Sequence, residues 1–124
     1  SNLSMDKALD KKILEMTAKG GFVIDSWTMP WLMDRKKTIT VWLECSLETR
    51  VKRVAKRNKQ GFEEVLEGIK RKEELSKRIY WQAYGIKVGG DLKPFDMTLN
   101  VEGLNEKQSL EVVSALVKVM LKKK

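Results

Sequence analysis

The sequence predicts an α/β fold: a parallel sheet of about three strands with helices on its faces. Short apolar or β-branched runs at residues 22–24, 38–43 and 97–101 alternate with longer segments whose apolar residues recur every three or four positions. Glycines follow those longer segments, at Gly20-Gly21 and Gly85, where helices stop. Strands interleaved with helices belong to parallel sheets joined by right-handed crossovers.

Taken in order, Ser1 and Asn2 read as a cloning remnant, and Ser4 or Asp6 as the first helix N-cap. Met5, Leu9, Ile13, Leu14 and Met16 form the stripe of a helix over residues 5–19. Phe22-Val23-Ile24, closing on Asp25, has the continuous apolar character of a strand buried on both faces, and the C-terminal edge of such strands is where ligands bind. Trp27, Pro30 and Trp31 then break the pattern into a loop or irregular turn, and loop tryptophans usually cap a core. The β-branched run 38–43 predicts a strand, and Ser46 caps the helix after it.

A second helical pattern starts near Gly61 and carries Phe62, Val65, Leu66, Ile69, Leu75, Ile79 and Tyr80 until Gly85 ends it. Tyr80 and Tyr84, four apart, form a packing pair on it. Asp96 caps or ends the loop before a third strand at residues 97–101. Asn105 and Gln108 form a capping box that opens a last helix through Leu110, Val113, Leu116, Val117 and Met120. The closing Lys122-Lys123-Lys124 sits where the helix dipole favours cations and reads as a solvated end.

Composition excludes several classes. With 124 residues, no histidine and a single cysteine, an all-protein zinc site or a histidine triad is ruled out, and no metal site is expected. No apolar run approaches the ~20 residues of a membrane span, so a cytoplasmic, single-domain protein over residues 1–124 is expected, with Cys45 as a small filler. The formal charge of +8 calls for anionic partners. Most of it lies between Arg50 and Arg78, where eleven Lys or Arg face five Glu. Arg50, Arg53 and Arg57 recur at spacings of three and four beside the Leu47, Val51, Val54 stripe, so their guanidinium groups can project from one face. Guanidinium forks suit phosphate oxygens. A solvated basic face explains the same run, and Arg50, near its helix start, reads as an ion-pair partner. Glu63, Glu64, Glu67 and Glu73 can pair locally with Lys70, Arg71 and Lys77.

Three stretches together, VWLECSLETRVKRVAKR, RKEELSKRIYWQAYGI and FDMTLNVEGLNEKQSLEVVSAL, resemble the second half of cytidylate kinases, especially the archaeal kind. The resemblance runs from about Asp6 onward. It implies a three-layer parallel sheet of the P-loop nucleoside monophosphate kinase type, truncated to about three strands with helices on both faces. It implies transfer of the ATP γ-phosphate to CMP or dCMP, with Mg2+ accompanying ATP. It places Arg53 and Arg57 near the ATP and its phosphates, Asp25 facing the nucleotide, and Lys72 and Arg78 on the transferred phosphoryl group. The last two belong to a mobile lid at roughly residues 58–90. Phosphoryl transfer depends on positioning and on cations that absorb developing charge, which suits an arginine row followed by a lid.

The chain departs from the family pattern at three points. No Gly-x-x-x-x-Gly-Lys-Ser/Thr occurs in it, Ser26-Trp27 stands where the family has Gly-Arg, and Ile79 stands where an arginine precedes the first tyrosine of Tyr80-x-x-x-Tyr84-Gly85-Ile86. In the resembled fold the P-loop strand lies between the strands placed here at residues 22–24 and 38–43. The sheet is therefore expected to need an upstream segment or a second copy, unless the three strands pair directly, and the chain alone is expected to be inactive and to hold no cofactor. The alternative is an inactive kinase relative that binds nucleic acid or protein, with Trp27, Trp31 and the Arg35–Lys37 cluster supplying stacking and phosphate contacts.

Overall fold

The computed structural model describes the backbone of residues 3–124 and the side chains of residues 6–124; Ser1 and Asn2, read as a remnant, and the Ser4 side chain lie outside what it describes. It is an α/β protein with five helices and two strands: α1 (Leu3–Thr17), α2 (Met29–Leu32), β1 (Val41–Glu44), α3 (Leu47–Asn58), α4 (Phe62–Tyr84), β2 (Met97–Asn100) and α5 (Glu106–Leu121). β1 and β2 pair in parallel, Val41 beside Met97 and Glu44 beside Asn100. The crossover between them is the α3–α4 pair, as a parallel ladder requires.

Local signals set the helix limits. α1 begins at Leu3, so Asp6 lies inside its first turns and does not cap it. Ser46 Oγ accepts the Thr49 N–H at 3.2 Å and starts α3. Lys59 closes α3 in the left-handed region at φ 55°, which lets the chain reverse before Gly61 opens α4. Gly85 ends α4 at φ 68°, a conformation that a Cβ would disfavour. α5 starts on a complete capping box, with Gln108 N donating to Asn105 Oδ1 at 2.8 Å and Asn105 N donating to Gln108 Oε1 at 2.9 Å. The turn around Pro30 contains one short helix, α2, entered through Ser26 Oγ, which accepts from the N–H groups of Thr28 and Met29.

Two strand expectations fail. Residues 22–24 form no strand: Phe22 is 57% exposed and Val23 fully exposed, and among the described residues the sheet has two strands, not three. A strand exists only with a neighbour to share its backbone bonds, and among the described residues this segment pairs with neither β1 nor β2. The strand expected at 38–43 begins later, at Val41. Thr40 is taken up by the loop before β2: it receives the Asp96 N–H on its carbonyl at 2.8 Å, and its hydroxyl donates to Pro94 O at 2.6 Å.

The core is thin. Met29, Val51, Val65, Ile86, Val88 and Val101 are its buried apolar side chains. α3 packs on α4, and α1 touches α4. Trp31, carried on α2, and Trp42 both meet Phe95 edge-on, with centroids 5.2 and 5.4 Å apart. α5 has no fully buried residue; its Val113, Val117 and Leu121 turn toward the cavity.

Candidate functional site

The cavity has a volume of about 1200 Å³ and lies between the irregular segment 21–27 and the free edge of β1. Its floor is apolar, from Val41, Leu43 and α5. Its charged lining is evenly balanced: Lys37, Arg50 and Lys77 against Asp25, Glu44 and Glu73. Trp42 also lines it and leaves its indole N–H without an acceptor, an arrangement that buried donors rarely keep.

Of the five side chains singled out from sequence, Asp25 lies on this cavity, near the entrance to α2. Arg53 is exposed but engaged: its Nη2 donates to the carbonyls of Val101 at 3.0 Å, Leu104 at 3.1 Å and Glu102 at 3.3 Å, holding α3 against the chain that leaves β2. Arg57 is exposed and donates through Nε to Asn58 Oδ1 at 3.4 Å. Lys72 and Arg78 are exposed on α4, and six residues of helix set them about 120° apart around its axis. The three guanidinium groups of α3 thus have different targets, because each long side chain reaches the nearest acceptor rather than a common one. Two of the cavity's three cations, Arg50 and Lys77, come from helix positions that spacing marks no differently from their neighbours.

Arg50 Nη1 pairs with Glu73 Oε2 across the α3–α4 interface, which fulfils the ion-pair reading of Arg50 and takes Glu73 away from local partners on α4. At the far end of α4, the Tyr84 hydroxyl donates to Asp10 of α1 at 2.6 Å, and Lys7 lies 5.6 Å from the Tyr84 ring centroid. Burial, then the bond to Asp10, pushes the Tyr84 phenol up to about 12.

Two carboxylates organise the ends of the strands. Glu102 accepts from Cys45 Sγ at 3.0 Å, Thr49 Oγ1 at 2.5 Å, Ser46 N at 2.9 Å and Ser46 Oγ at 2.9 Å, which joins the exit of β2 to the start of α3. These donors, the Cys45 thiol first, pull the Glu102 carboxyl down to about 2. Burial and the neighbouring Glu102 push the Cys45 thiol up, opposite to what a thiolate nucleophile needs. Asp96 accepts the Thr40 N–H at 2.8 Å and faces Lys124 Nζ at 3.0 Å and Arg35 at 3.5 Å. Burial raises its carboxyl, but the Thr40 bond and the Lys124 and Arg35 cations outweigh this, and the net direction is down. Asp96 therefore ends the loop before β2 as expected. Lys124 is not a solvated end: its side chain is mostly covered, and it also donates to the carbonyls of Arg35 and Thr38.

Among the described residues no group of three His, Cys, Asp or Glu side chains could hold a metal ion, and no helix is long and apolar enough to cross a membrane. Fold and site define an α/β protein whose parallel strand pair opens on a charged cavity beside two basic helices. The family is set by sequence: residues 1–103 match the model of the cytidylate kinase-like family, and the chain belongs to that family. It is 32% identical over 123 residues to a cytidylate kinase of Sulfurisphaera tokodaii, covering 98% of this chain and 68% of that one. It is 30% identical to a cytidylate kinase of Pyrobaculum aerophilum over 112 residues, 90% of this chain and 60% of that one. To the cytidylate kinase of Staphylothermus marinus it is 26% identical over 119 residues, 96% and 67% of the two chains. The chain thus spans roughly 60–68% of the length of these relatives. No solved structure matches it.

Proposed function

We propose that this chain supplies the nucleotide-facing and lid elements of a cytoplasmic cytidylate kinase-like enzyme, in which the ATP γ-phosphate passes to CMP or dCMP. One observation carries the proposal beyond family membership. The free edge of β1 and residues 21–27 line the same cavity, and in a P-loop nucleoside monophosphate kinase the phosphate-loop strand lies between the two corresponding segments. An unpaired edge beside an apolar floor is a costly arrangement, relieved when a strand fills it. That strand comes from an upstream segment of the parent protein or from a second copy.

In this enzyme Asp25 faces the nucleotide, Arg53 and Arg57 serve the ATP phosphates or base, and Lys72 and Arg78 reach the transferred phosphoryl group from a lid at residues 58–90. Arg53 has to exchange its carbonyl acceptors for phosphate to do so. Mg2+ enters with ATP as part of the substrate and neutralises charge between the phosphates. The protein's own contribution is orientation and cationic stabilisation, neither of which needs a histidine or a reactive thiol.

The test is release of ADP on adding CMP with ATP and Mg2+, followed by a coupled assay. The 124-residue chain is expected to show no CMP-dependent release, and a parent protein carrying a glycine-rich phosphate loop is expected to show it. Turnover by the short chain refutes its dependence on a further strand, and silence of the parent refutes the kinase reading.

A further inference from the structure

Arg50 is the only arginine on the cavity wall among the described residues, and its guanidinium is already occupied. Its partner, Glu73, lies on the facing helix, with side-chain exposures of 37% for Arg50 and 22% for Glu73. Carboxylate and phosphate oxygens both accept from a guanidinium, so a phosphate oxygen can take the place of the Glu73 Oε2 that Arg50 Nη1 now holds. Charge makes the exchange necessary. The chain carries +8 overall, but the cavity's three cations are cancelled by its three carboxylates. As it stands the lining carries no net charge, and withdrawing Glu73 leaves a surplus cation on a wall that also holds Lys77, one turn after Glu73 on α4.

We propose that Glu73 is a resident counter-anion of the cavity: it holds the Arg50 guanidinium until a polyphosphate takes its place. Arg50 and Lys77 then form the anion subsite, and Glu73 sets the threshold concentration at which it fills. Discrimination follows, since a singly charged anion competes poorly with a carboxylate tethered beside the arginine, whereas a polyphosphate meets Arg50 and Lys77 together. This deepens the kinase proposal, because the subsite belongs to the same cavity. It concerns binding alone and is measured without turnover.

The experiment titrates inorganic tripolyphosphate into the 124-residue chain by calorimetry. Glu73→Gln keeps the size and an acceptor for Arg50 but removes the charge, and it is expected to bind about two- to fivefold tighter, the scale of a partly exposed ion pair. Glu74→Gln makes the same change in net charge at an exposed neighbour off the cavity and is expected to match the parent chain. Adding Arg50→Met to Glu73→Gln is expected to abolish the gain. Equal affinities for the parent chain and Glu73→Gln overturn the proposal, as does an equal gain in Glu74→Gln, a gain that survives Arg50→Met, or no saturable binding by any variant. Because CMP phosphorylation by the parent protein is a separate measurement, failure of the exchange and failure of the kinase reading are told apart.

Discussion

Arg53 of α3 holds the carbonyl of Val101, the residue that follows β2, at 3.0 Å, and Val101 is itself buried. One exposed side chain therefore ties the crossover helix to the strand it returns to. Replacing Arg53 with Met removes three hydrogen bonds from a charged donor while keeping the aliphatic stem. The expected loss is about 1 kcal/mol, since the site is solvated, and about 4 °C in thermal midpoint for a chain of this size. Scanning calorimetry checks it. Nucleotide affinity, measured where both forms are folded, separates this anchoring role from the phosphate-binding role proposed for Arg53.

Glu102 gives a pH dependence of known sign. Its folded-state carboxyl is depressed from 4.5 to about 2, so the stability it contributes is present above pH 4.5 and lost as pH falls toward 2. Glu102→Gln is expected to be less stable than the parent chain at neutral pH, with the difference closing over that window. Thermal midpoints of both chains from pH 7 to pH 2 provide the measurement. A constant difference across the window removes Glu102 as its source.

Local chemistry was readable in the sequence and long-range chemistry was not. Ser46, Gly85 and the Asn105–Gln108 box act within a few residues of themselves, so their patterns predict helix ends correctly. Residues 22–24 have strand composition, but a strand also needs a partner, and composition says nothing of whether one is there. Lys124 looks like any lysine at a helix end until the fold brings it to Asp96, 28 residues away in sequence. The same holds for Arg50 and Glu73, whose pairing depends on how the turn at Lys59 to Gly61 folds α4 back onto α3.

Asp96 is the most demanding of these long-range positions. Its carboxylate is 8% exposed and serves a backbone N–H and two cations at once. Asp96→Ala leaves the Thr40 N–H and the Lys124 ammonium without their acceptor, and the expected cost is about 2–4 kcal/mol. Lys124→Ala leaves Asp96 with Thr40 and Arg35 and is expected to cost less, about 1 kcal/mol. Urea titration of both variants tests the order, and an equal or larger loss for Lys124→Ala contradicts it.

The Tyr84–Asp10 bond makes the attachment of α4 to α1 sensitive to alkali. The phenol is pushed from 10.0 up to about 12, first by burial and then by the Asp10 carboxylate, which accepts a hydrogen bond from its O–H at 2.6 Å. A folded-state value above the unfolded one means that the stabilisation is complete below pH 10 and disappears as pH rises through 12, because the ionised phenolate faces a second negative charge. Tyr84→Phe keeps the ring and its contact with Lys7 but has no proton to give, so it is expected to lose about 1 kcal/mol at pH 8. The diagnostic quantity is the difference between the two chains at each pH. That difference is expected to shrink from pH 10 to pH 12, and a difference that persists at pH 12 places the stabilising contact elsewhere on the α1–α4 interface.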